Sequence, residues 1–156
     1  MTRLVQNPQM KIGQVDISKI KISSKSRDDI PKLLKGLQYI YSTPSVRKSI
    51  FQLLEAQISP EVDKSNGRPG MELWKILVMG ILRLGLNCDY DRLHELVNQH
   101  KTIREMLGHA DFFDEMDYQL QTIKDNVALL TPELLDEINQ IVVKAGHALV
   151  KKKMSH

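Results

Sequence analysis

The chain has 156 residues, 42% of them hydrophobic and only 5% aromatic, and a formal net charge of +3. That is enough for one domain with a real core, and a core built of Leu, Ile, Val and Met favours packed helices over a β-sandwich. The single cysteine, Cys88, excludes an internal disulfide and points to a reducing, cytoplasmic setting, and the opening MTRLVQNPQM has no apolar signal core.

The net charge hides an asymmetry. Residues 1–70 hold 12 Lys/Arg and 6 Asp/Glu, whereas residues 71–156 hold 10 and 13. A basic leading half suggests a polyanionic partner, nucleic acid first; an ordinary solvated basic surface is the competing reading.

Residues 1–25 form a basic N-terminal arm. Val15 to Ile22, VDISKIKI, alternates apolar and polar, but the phase slips at Ser18-Lys19, so it reads as a short strand or an extended arm. Lys19, Lys21 and Lys25 would let such an arm follow a phosphate backbone or enter a minor groove. A disordered terminus fits the same residues.

Residues 26–108 read as a helical domain. A first helix is expected from about Ser26, with Asp28-Asp29 at its positive end and Ile30, Leu33, Leu34, Leu37 and Tyr41 on one face. Thr43-Pro44 is a helix start, followed by the stripe Val46, Ile50, Leu53, Leu54 and Ile58. Ser59 to Gly70 reads as a polar linker ending in the turn Gly67-Arg68-Pro69-Gly70. The third helix, Met71 to Leu84, is apolar on most of its circumference and is expected at the centre, with Gly80 marking close approach of another helix and Gly85 to Cys88 ending it. Lys75 and Arg83 interrupt this run, and it is too short to span a bilayer, so no membrane partner is expected.

Asp89 caps a fourth helix to Asn98, with Leu93, Leu96 and Val97 inward. Gln99-His100-Lys101 makes a tight connection, and Thr102 to Leu107 forms a last short helix stopped by Gly108. Residues 109–118 are an acidic loop without the spacing of a calcium loop. Residues 119–156 read as a helical hairpin, 119–129 and 132–153. Its seams, Leu120, Ile123, Val127 and Leu130, then Leu135, Ile138, Val142, Ala145 and Leu149, have coiled-coil spacing. The expected fold is therefore all-α: a multi-helix domain with a candidate helix-turn-helix, a C-terminal antiparallel helix pair and a short extended N-terminal arm.

No constellation points to catalysis, a metal or a cofactor. Cys88, His94, His100 and His109 match no zinc spacing. Gly67-x-x-Gly70 is a turn, not a phosphate loop, and of Asp89 and Asp91 one is better used as a cap. The two short helices after Asp89 have the size of a helix-turn-helix. Arg92 and Arg104 suit guanine, Asn98 and Gln99 suit adenine, Lys101 suits phosphate, and Arg68 lies in the turn leading into the central helix. Asp91, Glu95 and Glu105 share those faces, so an ordinary charged surface competes evenly with DNA recognition.

The stretch GRPGMELWKILVMGILRLGLNCDYDRLHELVNQHKTIREMLGH resembles the N-terminal region of bacterial insertion-sequence transposases of the ISNCY ("not classified yet") group. SRDDIPKLLKGLQYIY (Ser26 to Tyr41) and LQTIKDNVALLTPELLDEINQIVVKAGH (Leu120 to His147) resemble the same group in collinear order. The resemblance implies that residues 26–108 bind double-stranded DNA at the terminal inverted repeats of an insertion sequence. It also implies that strand cleavage belongs to an RNase H-like domain, with two Asp and one Glu holding divalent metals, expected beyond His156. No carboxylate of this chain matches that triad, so the expectation is a catalytically incomplete DNA-binding portion of a transposase. The alternative is a helical interaction module whose C-terminal seams pair with a second copy or with full-length transposase.

Overall fold

The structure is a computed structural model describing residues 16–22, 29–64, 71–109 and 117–144, the side chains of 59–64 excepted. Among the described residues it is all-helical, with no strand. A 3-10 turn, Ile17–Lys19, precedes α1 (Asp29–Ser42), α2 (Pro44–Lys64), α3 (Leu73–Leu86), α4 (Tyr90–Gln99), α5 (Lys101–Met106), α6 (Leu120–Val127) and α7 (Pro132–Lys144). None of these helices is long and apolar enough to cross a membrane.

The core is built around α3, which packs on α1, α2, α4 and α6. Seven consecutive residues, Ile76 to Leu82, are buried, as a helix apolar on nearly all sides must be when neighbours surround it. Gly80 is the notch that admits the Leu130 side chain, and a Cβ there would overlap it. The helix ends within the expected segment Gly85 to Cys88, with Gly85 in its last turn against the Leu33 methyl groups of α1. The stop is Asn87, in the left-handed region at φ 54°, where its amide N–H returns to the carbonyls of Arg83 and Leu84.

The start signals act as their chemistry dictates. Thr131 Oγ1 accepts from Leu134 N at 3.1 Å ahead of Pro132, and Asp89 Oδ1 accepts from Arg92 N at 2.8 Å. Trp74 donates its indole N–H to Met106 O at 2.8 Å, tying α3 to the end of α5. Its ring meets Tyr41 edge-on at 5.1 Å and stacks near Phe51 at 6.5 Å, joining α1 and α2 to the same post.

Four expectations need correction. Val15–Ile22 is not a strand or a free arm over its described part. Ile17 and Ile20 are buried against α1, and both hydrogens of the Gln38 amide go to the carbonyls of Ile17 and Ile20, at 3.0 and 2.9 Å. The phase slip at Ser18-Lys19 is the turn itself, because residues three apart fall on one side of a 3-10 helix. Second, α2 does not end at Ser59. It continues through Pro60 to Lys64, since proline removes one donor while the residues after it keep theirs.

Third, over their described residues the two C-terminal helices find their main partners elsewhere than in each other: α6 packs on α4 and α3, and α7 packs on α2. Coiled-coil spacing says that a helix has an apolar stripe, not which neighbour covers it. Finally, the atoms that approach Gly80 belong not to another helix but to Leu130, in the turn between α6 and α7. The expected stretch of the last helix beyond Lys144, with Ala145 and Leu149, lies outside the described residues, as does most of the acidic loop.

Candidate nucleic-acid interface

The residues proposed to face DNA cluster on α4 and α5. These helices share His100, which is at once the C-cap of α4 and the N-cap of α5. Its Nδ1 accepts from Ile103 N at 3.3 Å while its own N–H reaches Leu96 O at 2.9 Å. One residue therefore satisfies orphan backbone groups of both helices, which makes the corner stiff. Burial, assisted by the nearby Arg92 charge, pushes the His100 imidazole below its ordinary value and keeps it neutral, as an accepting nitrogen requires.

Leu93, Leu96 and Val97 of α4 and Ile103 and Met106 of α5 anchor the pair to the core. Gly108, at φ 99°, then turns the chain, with its N–H returning to Glu105 O at 2.8 Å. The corner is therefore tied to α3 by the packing of α4 on it and by the Trp74–Met106 bond.

The outward residues divide by what they touch. Arg92, Gln99 and Lys101 are exposed, and Arg92 pairs with Glu95 at 3.0 Å with both side chains more than half exposed. Arg104 is half-buried and donates to Val97 O at 3.1 Å, closing the last turn of α4. Asn98 stands apart. Its Nδ2 donates to Tyr118 O and His94 O, each at 3.0 Å, and its Oδ1 accepts from Tyr118 N at 2.7 Å. This amide, expected to read adenine, is a clamp on the chain entering α6. Lys19 and Lys21 are exposed beside the 3-10 turn; Lys25 and Arg68 lie outside the described residues.

Sequence reasoning missed the partner of that clamp. Tyr118 and His109 are both buried, and the Tyr118 hydroxyl meets His109 Nε2 at 2.5 Å. Lys75 Nζ lies 5.9 Å from the Tyr118 ring centroid. A lone buried tyrosine at the end of an acidic loop carries no local signal; only the fold brings residues 75, 98 and 109 to it.

The groups that suggested other chemistry have structural occupations. His100 Nδ1 is a helix cap and His109 is bonded to Tyr118. Burial raises the Cys88 thiol above its ordinary value despite the opposing Arg83 charge, which disfavours the thiolate. Arg83 itself lies over the Tyr90 ring, 4.1 Å from its centroid. Among the described residues no three His, Cys, Asp or Glu side chains are grouped to hold a metal ion. Comparison with family models, with curated proteins and with solved structures finds no match for this chain.

Proposed function

We propose that this chain is the DNA-binding N-terminal portion of an insertion-sequence transposase, recognising the element's terminal inverted repeats and leaving strand chemistry to a separate catalytic domain. The observation that carries the reading is the collinear resemblance of Ser26–Tyr41, Gly67–His109 and Leu120–His147 to that group of transposases. The stiff α4–α5 corner supports it, with Arg92, Gln99 and Lys101 exposed together around His100. Arg92 and Gln99 carry the donors and acceptors that read base edges, and Lys101 is a point charge for phosphate. Asn98 leaves the set of base-reading residues because both ends of its amide are engaged with Tyr118.

The competing interaction-module reading drew on the apolar seam of the last helix. Leu135, Ile138 and Val142 are buried within the molecule, where α7 packs on α2. The large apolar side chains exposed among the described residues are Leu84 and Val143, on different helices. Among the described residues no contiguous exposed apolar stripe therefore favours it.

Fluorescence anisotropy with a duplex carrying the terminal inverted repeat, against a shuffled duplex of the same composition, tests the proposal across about 50 to 200 mM salt. Salt-sensitive binding that prefers the repeat by roughly a thousandfold or more is expected of specific recognition. Equal affinity for both duplexes would remove end recognition, and no salt-sensitive binding would remove the DNA reading altogether.

A further inference from the structure

The exposed residues of α4 are Asp91, Arg92, Glu95 and Gln99, and the last three make one stripe at intervals of three and four. The opposite face, Leu93, Leu96 and Val97, is buried. On α5 the exposed residue is Lys101, while Arg104 is bonded to Val97 O. From Arg92 to Gln99 the stripe runs about 10 Å, the rise of roughly three base pairs. The side chains suited to base edges therefore belong to α4, the helix of this corner that can lie along a major groove.

Glu95 stands in the middle of that stripe, where a lone carboxylate would repel DNA. Its partner changes that. Arg92 Nη1 donates to Glu95 Oε1 at 3.0 Å, so the pair as a unit carries no net charge. The bond leaves Arg92 Nε and Nη2, which make no hydrogen bond among the described residues. These two donors share one edge of the planar guanidinium, and such an edge bonds guanine O6 and N7 together. The other end of the residue is fixed as well, since its backbone N–H bonds Asp89 Oδ1 at 2.8 Å. A long side chain held at both ends gives up less rotamer freedom when it meets a base. Both side chains are more than half exposed, so the pair adds little to folding.

We propose that Glu95 is a positioning residue for base reading: it holds the Arg92 guanidinium so that the remaining Nε–Nη2 edge meets guanine, and so sets a preference for one G·C pair. The inference rests on the DNA-binding reading above and names the base that the α4 stripe selects.

The test selects bound duplexes from a pool with a randomised core, using the full chain as wild type, Arg92→Ala, Glu95→Ala and Glu95→Gln, with a thermal melt of each. The wild type is expected to prefer guanine at one position by roughly 5- to 100-fold, the discrimination of one bidentate pair. Arg92→Ala should lose that preference at that position alone. Glu95→Ala should lose most of it at the same position, yet bind the unselected pool at least as tightly as the wild type, because a carboxylate has gone and the arginine has not. Glu95→Gln keeps an acceptor for Nη1 and should retain part of the preference. If Glu95→Ala melts early, Glu95→Lys, which cannot accept from Arg92, takes its place with the same expected loss.

An unchanged guanine preference in Glu95→Ala overturns the positioning role and leaves Glu95 a surface carboxylate only. Weaker binding to every duplex with the same preferred site overturns it too, because that is a loss of fold or of a phosphate contact. A wild type with a preferred site at which Arg92→Ala changes no position overturns the inference and leaves the DNA reading standing. A wild type that enriches no sequence removes end recognition and the inference with it.

Discussion

Asn98 holds Tyr118 by both of its backbone groups, donating to the tyrosine carbonyl at 3.0 Å and accepting from its N–H at 2.7 Å. An amide side chain here substitutes for a pair of strand-like hydrogen bonds and fixes where the chain re-enters the core after the acidic loop. The Asn98→Ala variant should lose about 1 to 3 kcal/mol of stability, because Tyr118 loses the hydrogen bonds that Asn98 makes to its N–H and its carbonyl. Asn98→Asp should recover part of that loss, since the acceptor for Tyr118 N survives and the donor does not. Urea denaturation of the three proteins reads both effects. A fall in DNA affinity for Asn98→Ala with unchanged stability would instead restore Asn98 to the base-reading set.

Gly80 and Leu130 form a notch and its occupant. Gly80→Ala gains helix propensity worth about 1 kcal/mol but drives a methyl into Leu130, and overpacking of a full core typically costs about 1 to 3 kcal/mol. The net expectation is destabilisation by roughly 1 kcal/mol, the difference between those terms. The double variant Gly80→Ala/Leu130→Val should be more stable than the sum of the two single losses, as residues sharing one volume are non-additive. Strict additivity in chemical denaturation would show that the two do not compete for space.

His100 makes stability depend on pH. Its folded-state value is lowered, chiefly by burial and then by Arg92. The unfolded chain therefore binds the proton more readily than the folded one. The stability it contributes is complete above the ordinary histidine value of about 6.5 and is lost as pH falls through the lower folded value. His100→Asn keeps a cap acceptor and has no proton to bind. Between pH 7.5 and 5 the melting temperature of the wild type should fall more steeply than that of this variant; parallel curves would mean that His100 titrates alike in both states.

Arg92 and Arg104 are expected to separate affinity from stability. The Arg92–Glu95 pair is exposed on both sides, so Arg92→Gln should change stability by less than about 1 kcal/mol. If Arg92 meets DNA, the same variant weakens binding with its melting temperature unchanged. Arg104→Gln loses the bond to Val97 O and should cost about 1 kcal/mol. Thermal melts paired with anisotropy titrations separate the two arginines.

Much of the fold is legible along the chain because its signals are local. Thr43-Pro44, Asp89 and Thr131-Pro132 start helices where a side-chain oxygen or a preset φ meets the first turn, and Gly108 ends the last short helix before the acidic loop at a positive φ. The continuous apolar run of α3 identifies the central helix, since such a surface has nowhere else to go. The candidate site is less legible. Arg92, Gln99 and Lys101 stay exposed as their polarity suggests, whereas Asn98 looks the same in sequence and is committed to Tyr118, twenty residues away.

By itself, then, the sequence determined the all-α class, the central place of α3, the starts of α2, α4 and α7 and the tight corner at His100. Each follows from propensity, capping or apolar periodicity within a few residues. Only the tertiary structure decided what covers each apolar stripe and which polar groups are spent. It sent α7 to α2 rather than to α6, folded the basic segment at Ile17 and Ile20 onto α1, put Leu130 in the Gly80 notch and gave Asn98 to Tyr118. Those outcomes depend on the distance between residues far apart in the chain, and local patterns of polarity hold no information about that distance.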